Sequence, residues 1–340
     1  MKMKTKIFNT EKENLIEASK IIKNGGLVAI PTETVYGLAA DGLNNKSIRK
    51  IFEAKNRPMD NPLILHISRI DEIYRLVKEI DSKHLEILSK LWPGPLTVIL
   101  KKSEIIPDEV SAGLDTVAVR MPKLDITRAF IYLCDTPLAA PSANLSTKPS
   151  PTNAHDVFED MDGRIDAIID GVSSDIGIES TVLDLSQDIP RILRPGFYTK
   201  EYLEEYFEKV EVDIALMNEY ETPKSPGQKY KHYAPNAKVI VLLGDDESFR
   251  REVKNILYNE KNVGIMTFDN DKGYFDNKNI IYMGSRNNLT NMAKILFKSF
   301  RKMDENSVEL IVVRGVEEKG LGLSIMNRLK KAASNDVRRI

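Results

Sequence analysis

Short apolar runs that alternate with amphipathic helical segments constrain the fold of this 340-residue chain more than any other feature. The series begins with a helical pattern at 11–24, the run LVAI at 27–30 and a second helical pattern at 46–55. Runs this short and this rich in β-branched residues are typical of buried strands, whereas apolar residues three and four apart are typical of helices. The alternation predicts an α/β protein.

The first half of the chain predicts a mixed sheet, because several of its strands are separated by only a turn. Its first helix is expected to begin at a capping box of Thr10 and Glu13 and to end at Gly25 and Gly26. Further helices are predicted near 70–91, 125–133 and 199–209. Further strands are predicted at 63–67, 96–100, 116–120, 167–170, 180–185 and 191–194.

The length of the chain predicts two domains, at about 150 residues per domain. We expect a first α/β domain over 1–210, a connector over 211–236 and a smaller doubly wound, Rossmann-like α/β domain over 237–340. The last part is predicted from four strand-like runs, KVIVLLG, NVGIMTF, NIIYMG and VELIVVRG. Helical patterns lie near them at 246–258, 288–303 and 322–333.

Composition excludes several classes of protein. Cys134 is the single cysteine, which excludes an internal disulfide and a cysteine-rich zinc site. The aliphatic runs are far shorter than the roughly 20 residues of a membrane helix, and the first residues do not form a secretory signal, so a cytoplasmic protein is expected. The 49 basic and 50 acidic residues give no overall field for nucleic acid.

Polar side chains recur at the predicted strand ends. The segment PTETVYGLAADG at 31–42 follows one strand, and Lys55 and Arg57 lie at the end of a helix. Thr116 and Arg120 are four apart in a strand and therefore face the same side. Taken alone, the segment 31–42 is equally typical of a turn, and Lys55 and Arg57 are more typical of an ordinary helix end. Together, hydroxyls and cations without an acidic metal cluster favour a pocket for an anionic, phosphate-bearing ligand.

The connector at 211–236 favours a lid over a spacer. Long loops without structure of their own are uncommon in compact domains, and many serve as active-site lids. Tyr220, Tyr230, His232 and Tyr233 give this one aromatic side chains that a plain linker lacks. A passive tether, with its tyrosines packed on either domain, is the alternative.

Seven motifs in order resemble the YrdC-like L-threonylcarbamoyl-AMP synthases in their long two-domain form. They are PTETVYGL, K-x-R at 55–57, NPLILHI, WPGPLT at 92–97, S-x-N at 142–144, ESTV at 179–182 and SPGQKYKHYAP. The ending GLGLSIMNRLKKAA also resembles the end of that form's extra domain. The sequence departs from the family pattern at Gln228, Lys231 and Val172.

The resemblance implies a YrdC-like first domain and the synthesis of threonylcarbamoyl-AMP from L-threonine, bicarbonate or CO2 and ATP, with Mg2+ accompanying ATP and no metal site in the protein. It further implies that a downstream transferase complex uses the product on tRNA adenosine 37, without a stable nucleic-acid complex here. The implied threonine-site residues are Thr34, His66, Arg120, Ala140 and Ser180. The implied nucleotide-site residues are Arg57, Asn61, Thr116, Ser142, Asn144, Ser150, Arg194 and Tyr230. Lys55 and Arg57 are the implied catalytic cations.

Two other functions stay open at this point. A carbamoyl-transfer enzyme of the hydrogenase-maturation type would make a carbamoyl adenylate without threonine, but it carries zinc-finger cysteines that a single Cys134 cannot supply. A non-enzymatic RNA-binding module would need a local basic surface, against the near-neutral charge of the whole chain.

Overall fold

The computed structural model describes residues 4–213 and 233–340, which divide into two compact units. We call them the N-terminal and the C-terminal unit. Within the described residues, the C-terminal unit contains 233–340 together with two short segments, 147–149 and 176–178. Among all the described residues of both units, no helix is both long and apolar enough to cross a bilayer.

The N-terminal unit is built on an eleven-stranded mixed sheet, as its sequence predicts. The strands are β1 (Lys6–Phe8), β2 (Val28–Ile30), β3 (Gly37–Asp41), β4 (Ile64–His66), β5 (Leu96–Lys101), β6 (Thr116–Arg120), β7 (Leu138–Ala139), β8 (Ala167–Ile169), β9 (Thr181–Asp184), β10 (Arg191–Arg194) and β11 (Glu211–Val212). Their order across the sheet is β1-β8-β2-β3-β7-β4-β6-β5-β9-β10-β11. Because β4 pairs with β6 in parallel and β5 with β6 antiparallel, the sheet is mixed at its centre.

The helices of this unit are α1 (Lys12–Lys23), α2 (Asn45–Lys55), α3 (Ile73–Leu76), α4 (Ser82–Leu91), α5 (Asp108–Ser111), α6 (Asp125–Cys134), α7 (Ala154–Met161) and α8 (Lys200–Leu203). The predicted helix at 199–209 is wrong beyond Leu203, where turns follow and the Glu204 carboxylate accepts the Val210 backbone N–H. The helices predicted near 70–91 are α3 and α4, preceded by a 3₁₀ turn at Ile70–Glu72.

The start of α1 corrects a second prediction. The N-cap residue is Glu11, whose side chain makes no capping hydrogen bond, so the capping box of Thr10 and Glu13 does not form. Instead the side chain of Asn9 accepts the Glu11 N–H in a local turn. The predicted stop is confirmed, because the helix ends at Asn24 and Gly25 follows with a φ of +75°.

Both faces of the sheet are covered, which explains why its strands read as continuous apolar runs. On one side, Ile51 of α2 and Leu88 of α4 pack with the strand residue Leu65. On the other side, Ile22 of α1 and Phe130 of α6 pack in a separate cluster. The strands are thereby fixed from two directions.

The C-terminal unit is a five-stranded, fully parallel sheet, which confirms the doubly wound prediction. Its strands are β12 (Lys238–Leu243), β13 (Val263–Thr267), β14 (Ile280–Tyr282), β15 (Leu310–Arg314) and β16 (Val337–Arg339), in the order β14-β13-β15-β12-β16. Its helices are α9 (Asp246–Asn259), α10 (Leu289–Glu305) and α11 (Leu321–Ala332). Strand β16 was not predicted, because its arginines resemble a solvated tail; such charges are typical of edge strands.

Ion pairs fill the carboxyl edge of this parallel sheet, where doubly wound proteins usually bind ligands. Arg314, at the end of β15, is 1% exposed and donates to Asp271 over 2.9 Å and to Asp246. Arg250 donates to the other oxygen of Asp271 over 2.8 Å. The edge is therefore neutralised by the chain's own side chains.

The two short segments of the C-terminal unit are held by α10 and the residues before β12. Arg301 donates to the Pro149 carbonyl over 2.6 Å, and the Ala234 N–H donates to Thr147 over 2.8 Å. Gly177 has a φ of +77°, and a Cβ there would lie 2.4 Å from the Lys294 carbonyl oxygen. Glycine is required at this close approach.

Candidate active site

One transverse row across the N-terminal sheet contains three of the site residues predicted from the sequence, namely His66, Arg120 and Arg194. His66 pairs with Arg120, and Arg120 pairs with Thr97. Thr97 pairs with Val182, which in turn pairs with Arg194. Directly paired residues point to the same face of a sheet. The register therefore brings residues from five strands to one face, although they are far apart in sequence.

Arg120 lies between His66 and Thr97 in this row and is 4% exposed. Its Nη2 donates to the Glu33 carboxylate over 2.7 Å, and its Nη1 donates to the Thr34 hydroxyl over 2.9 Å. Its Nε donates to the Gly94 carbonyl over 3.3 Å. The motifs PTETVYGL and WPGPLT thus meet at one guanidinium.

The turn that holds Glu33 and Thr34 is fixed by Thr32. The Thr32 hydroxyl accepts the backbone N–H groups of Thr34 and Val35, each over 3.2 Å, and donates to the Val35 carbonyl over 2.6 Å. The hydroxyls of Thr32 and Thr34 are 2.8 Å apart. A threonine-rich segment at a strand end here orients side chains toward Arg120.

His66 is a buried, neutral neighbour of Arg120. Burial, together with the charge of Arg120, lowers the pKa of the imidazole to about 3. The ring Nδ1 lies 3.2 Å from the Ile64 carbonyl. Ala140, also predicted, is buried beside this strand and donates its N–H to the same carbonyl over 3.0 Å.

Ser180 connects the middle of the row, at Thr97, with its end at Arg194. Its hydroxyl lies 2.8 Å from that of Thr97 and accepts from Arg194 Nη2 over 3.0 Å. Arg194 Nε also donates to the Ser180 carbonyl over 3.1 Å. A residue expected at the threonine site and one expected at the nucleotide site are therefore in direct contact.

Lys55 fastens the S-x-N loop to the end of α2. Lys55 is 2% exposed, and its ammonium group donates to the carbonyls of Ser142 and, over 2.6 Å, Asn144. Its own carbonyl accepts the Ser146 N–H over 2.9 Å. Burial holds the pKa of Lys55 well below its ordinary value, and the nearby charge of Arg57 acts in the same direction. The K-x-R and S-x-N motifs thus form one structural piece.

Arg57 and Asn61 continue this piece. Asn56 ends α2 in the left-handed conformation, with a φ of 50°, and the chain then turns through Arg57. Arg57 Nη2 donates to the carbonyls of Asn61 over 3.3 Å and Pro62 over 3.4 Å. The side-chain oxygen of Asn61 is buried and has no hydrogen-bond partner among the described residues. It is therefore an acceptor that a ligand can use.

The other predicted residues lie on neighbouring elements. Ser150 is buried and donates to the Glu179 carboxylate over 2.6 Å, which connects it to the ESTV motif. Thr116 begins β6 and is half-buried, about 13 Å along the strand from Arg120 at roughly 3.3 Å per residue. Tyr230 and the rest of the connector from 214 to 232 lie outside the described residues.

Sequence reasoning missed three residues that hold the predicted ones in place, namely Glu33, Thr97 and Glu179. Each belongs to a motif already quoted, PTETVYGL, WPGPLT or ESTV. The signal was an acid or hydroxyl inside a motif. The partner of each such residue could not be predicted from the sequence; Glu33 and Arg120, for example, are 87 residues apart.

Comparison with known proteins identifies the family. The family described as "Telomere recombination" (Sua5, YciO, YrdC) matches residues 20–196, and "Threonylcarbamoyl-AMP synthase, C-terminal domain" matches 198–334. A threonylcarbamoyl-AMP synthase from Pyrococcus abyssi (strain GE5 / Orsay) is 46% identical over 317 residues, 93% of each chain. The chain belongs to the two-domain threonylcarbamoyl-AMP synthase family.

A second relative and a solved structure agree with this assignment. A threonylcarbamoyl-AMP synthase from Bacillus subtilis (strain 168) is 41% identical, covering 97% of this chain and 96% of its own. The crystal structure of P. abyssi Sua5 complexed with L-threonine superposes with a TM-score of 0.93 at 43% identity, covering 99% of this chain and 100% of that one. The predicted family and both of its folds are confirmed.

Proposed function

We propose that this protein condenses L-threonine, bicarbonate or CO2 and ATP into L-threonylcarbamoyl-AMP and pyrophosphate, as a nucleotidyltransferase. The observation that carries the proposal is the buried row of His66, Arg120, Thr97 and Arg194 on one sheet face. Relatives at 37–46% identity over most of the chain bear the name of that synthase.

Arg120 receives the threonine carboxylate. Its guanidinium matches a carboxylate geometrically, and burial strengthens such a pair relative to water. Thr34 and Ser180 supply hydroxyls on either side, and Ala140 supplies buried backbone. His66 contributes a ring without a second positive charge, because its pKa is lowered to about 3. The site therefore presents one guanidinium, already paired with Glu33, to the carboxylate of threonine.

The reaction forms and breaks few bonds. The ammonium group of threonine first gives a proton to water. The resulting amine bonds to the carbon of CO2 and loses a second proton to water, giving a carbamate. A carbamate oxygen then bonds to the α-phosphorus of ATP as the bond to the bridging oxygen breaks and pyrophosphate leaves. Transfers of this kind depend on positioning and on neutralising phosphate charge. A protein nucleophile is not needed.

The phosphate charge is met by Lys55 and Arg57. Two of the three ammonium donors of Lys55 hold backbone carbonyls, and the third is proposed to face a phosphate. The remaining nucleotide contacts are assigned to residues at the same loops and strand ends, with the buried oxygen of Asn61 as an acceptor for the nucleotide. They are Asn61, Thr116, Ser142, Asn144, Ser150, Arg194 and Tyr230 of the connector, which is proposed to close over the nucleotide.

A magnesium ion is proposed to enter with ATP, held by the phosphate oxygens. The side chains gathered at Lys55 and Arg57 are cationic and hydroxyl-bearing, which suits an ion bound through its substrate and not a protein cage. When bound, the ion offsets phosphate charge. Lys55 and Arg57 do so from the protein side.

We further propose that a downstream transferase complex takes the threonylcarbamoyl group to adenosine 37 of tRNA, and that this protein forms no stable complex with nucleic acid. The whole chain carries a formal net charge of −1, which gives no long-range attraction to a phosphate backbone. A stable association with tRNA in physiological salt would contradict this part of the proposal.

The test follows pyrophosphate release from ATP and bicarbonate with and without L-threonine. Threonine-dependent release, with threonylcarbamoyl-AMP identified by mass spectrometry, is the expected result. Release without threonine would favour a carbamoyl adenylate enzyme. Failure of turnover together with retention of RNA would favour an RNA-binding module. Arg120→Ala is the matched negative variant.

A further inference from the structure

The carboxylate of Glu33 is buried against the guanidinium of Arg120, and none of the roles assigned above uses it. Glu33 is 3% exposed and Arg120 is 4% exposed. Removing two charges from water is costly unless each is paired and hydrogen-bonded. The two oxygens of Glu33 are both engaged, one by Arg120 Nη2 over 2.7 Å and the other by the Lys123 backbone N–H over 3.0 Å.

These contacts fix the plane of the guanidinium. A guanidinium has five N–H donors. Gly94, Thr34 and Glu33 take one donor from each of the three nitrogens. Within the described residues, these contacts leave one N–H on each terminal nitrogen for a substrate. Of the three acceptors only Glu33 is charged, so it is the strongest of the restraints.

We propose that Glu33 is a positioning residue that aims Arg120 at the carboxylate of the amino-acid substrate. The Lys123 N–H keeps the Glu33 carboxylate from rotating, and the Thr32 turn fixes Thr34 beside Nη1 while Glu33 accepts from Nη2. The inference rests on the proposed function, in which Arg120 receives threonine. It adds that threonine affinity depends on a second, protein carboxylate that never touches threonine.

The opposite role is also chemically defined. Glu33 could occupy the place of the substrate carboxylate and compete with it for Arg120. The two roles predict opposite signs, because loss of a positioning group weakens threonine binding whereas loss of a competitor strengthens it. The engaged second oxygen and the two remaining Arg120 donors favour positioning.

The experiment compares Glu33→Gln with wild type in the pyrophosphate assay, titrating threonine and ATP separately. We expect the threonine KM to rise about tenfold or more, the effect of losing a charge-assisted hydrogen bond, with the ATP KM within about twofold. Glu109→Gln is the control, because it removes a carboxylate from the Arg49 ion pair on another surface and should leave both constants unchanged.

A second variant tests whether Glu33 acts through Arg120. In an Arg120→Lys background the fork to be aimed is absent, so adding Glu33→Gln should change the threonine KM by less than about twofold. If Glu33→Gln is insoluble, Glu33→Asp, which keeps the charge but shortens the side chain, should raise the threonine KM in the same direction.

Four outcomes overturn the inference. They are an unchanged threonine KM, a lowered threonine KM, equal losses for threonine and ATP, and an additive loss in the Arg120→Lys background. A wild-type protein without threonine-dependent turnover is a different result, since it refutes the proposed function itself.

Discussion

The neutral, buried state of His66 predicts a measurable dependence of stability on pH. Burial, helped by the charge of Arg120, lowers the pKa of this histidine to about 3, against 6.5 for the ordinary imidazole. As the pH falls, His66 is therefore protonated near pH 6.5 in the unfolded chain but only near pH 3 in the native state. Titration of His66 therefore has little effect on the free energy of unfolding above pH 6.5 and lowers that free energy as the pH falls from 6.5 toward 3.

The magnitude follows from the shift. At pH 5 the pH is about 1.5 units below the pKa of His66 in the unfolded chain. Each unit corresponds to about 1.4 kcal/mol, so the free energy of unfolding falls by about 2 kcal/mol. Urea unfolding at pH 7 and pH 5 measures this loss. The single tryptophan, Trp92, is buried in the N-terminal unit and donates to the Leu96 carbonyl, so its fluorescence reports on the unit that holds His66.

Other groups titrate in the same range, so the quantity to compare is a difference between variants. His66→Asn keeps a donor for the Ile64 carbonyl but has no titrating ring. It should lose about 2 kcal/mol less than wild type between pH 7 and pH 5. The ring of His84 packs against Phe207 and is less buried than that of His66. His84→Asn should therefore remove a smaller part of the loss of stability between pH 7 and pH 5. Equal pH dependence of wild type and His66→Asn would refute the reasoning.

Three further predictions address separate parts of the molecule. Arg120→Lys should raise the threonine KM about tenfold or more with the ATP KM nearly unchanged, because an ammonium cannot replace a planar fork; comparable losses for both substrates in the pyrophosphate assay would contradict this assignment. Lys55→Met should lower turnover while calorimetry shows threonine affinity retained, since the carbonyls of the S-x-N loop lose their donor; a fall in threonine affinity equal to that of Arg120→Lys would show that Lys55 is misassigned. Gly177→Ala should destabilise the protein by roughly 1–3 kcal/mol, because its φ is positive and a Cβ would contact Lys294, and an unchanged midpoint of thermal unfolding would count against it.

The sequence predicted those strands that consist of continuous runs of β-branched and other apolar residues. β-branched runs such as those of β4, β5 and β15 lie in sheets buried on both faces and read as continuous apolar segments. Strand β3 was missed because GLAAD contains small residues with little strand preference. Their smallness has a structural reason, since a Cβ at Gly37 would lie 3.3 Å from that of Ala140.

The candidate site was predicted as a set of residues but not as a geometry. Periodicity places Arg120 on one face of its strand, yet nothing local states that His66 and Thr97 lie in register on either side of it. Register depends on strand pairing between segments that are not consecutive in the chain. The same limit explains Glu33, because its acidic side chain looks like one more polar turn residue until its distant partner is known.

The charges of Arg120 and Lys55 are balanced in different ways, and this difference affects how much negative charge each proposed substrate would add. Arg120 is already paired with a protein carboxylate, so its environment is organised before threonine arrives. Lys55 is held by carbonyl dipoles beside the charge of Arg57, and its lowered pKa records the cost of keeping it buried there. In the proposed function, a phosphate would bring to Lys55 the negative charge that its carbonyl partners lack, whereas a threonine carboxylate would add a second anion to Arg120. On that proposal, the protein preorganises the threonine end and ATP completes the phosphate end.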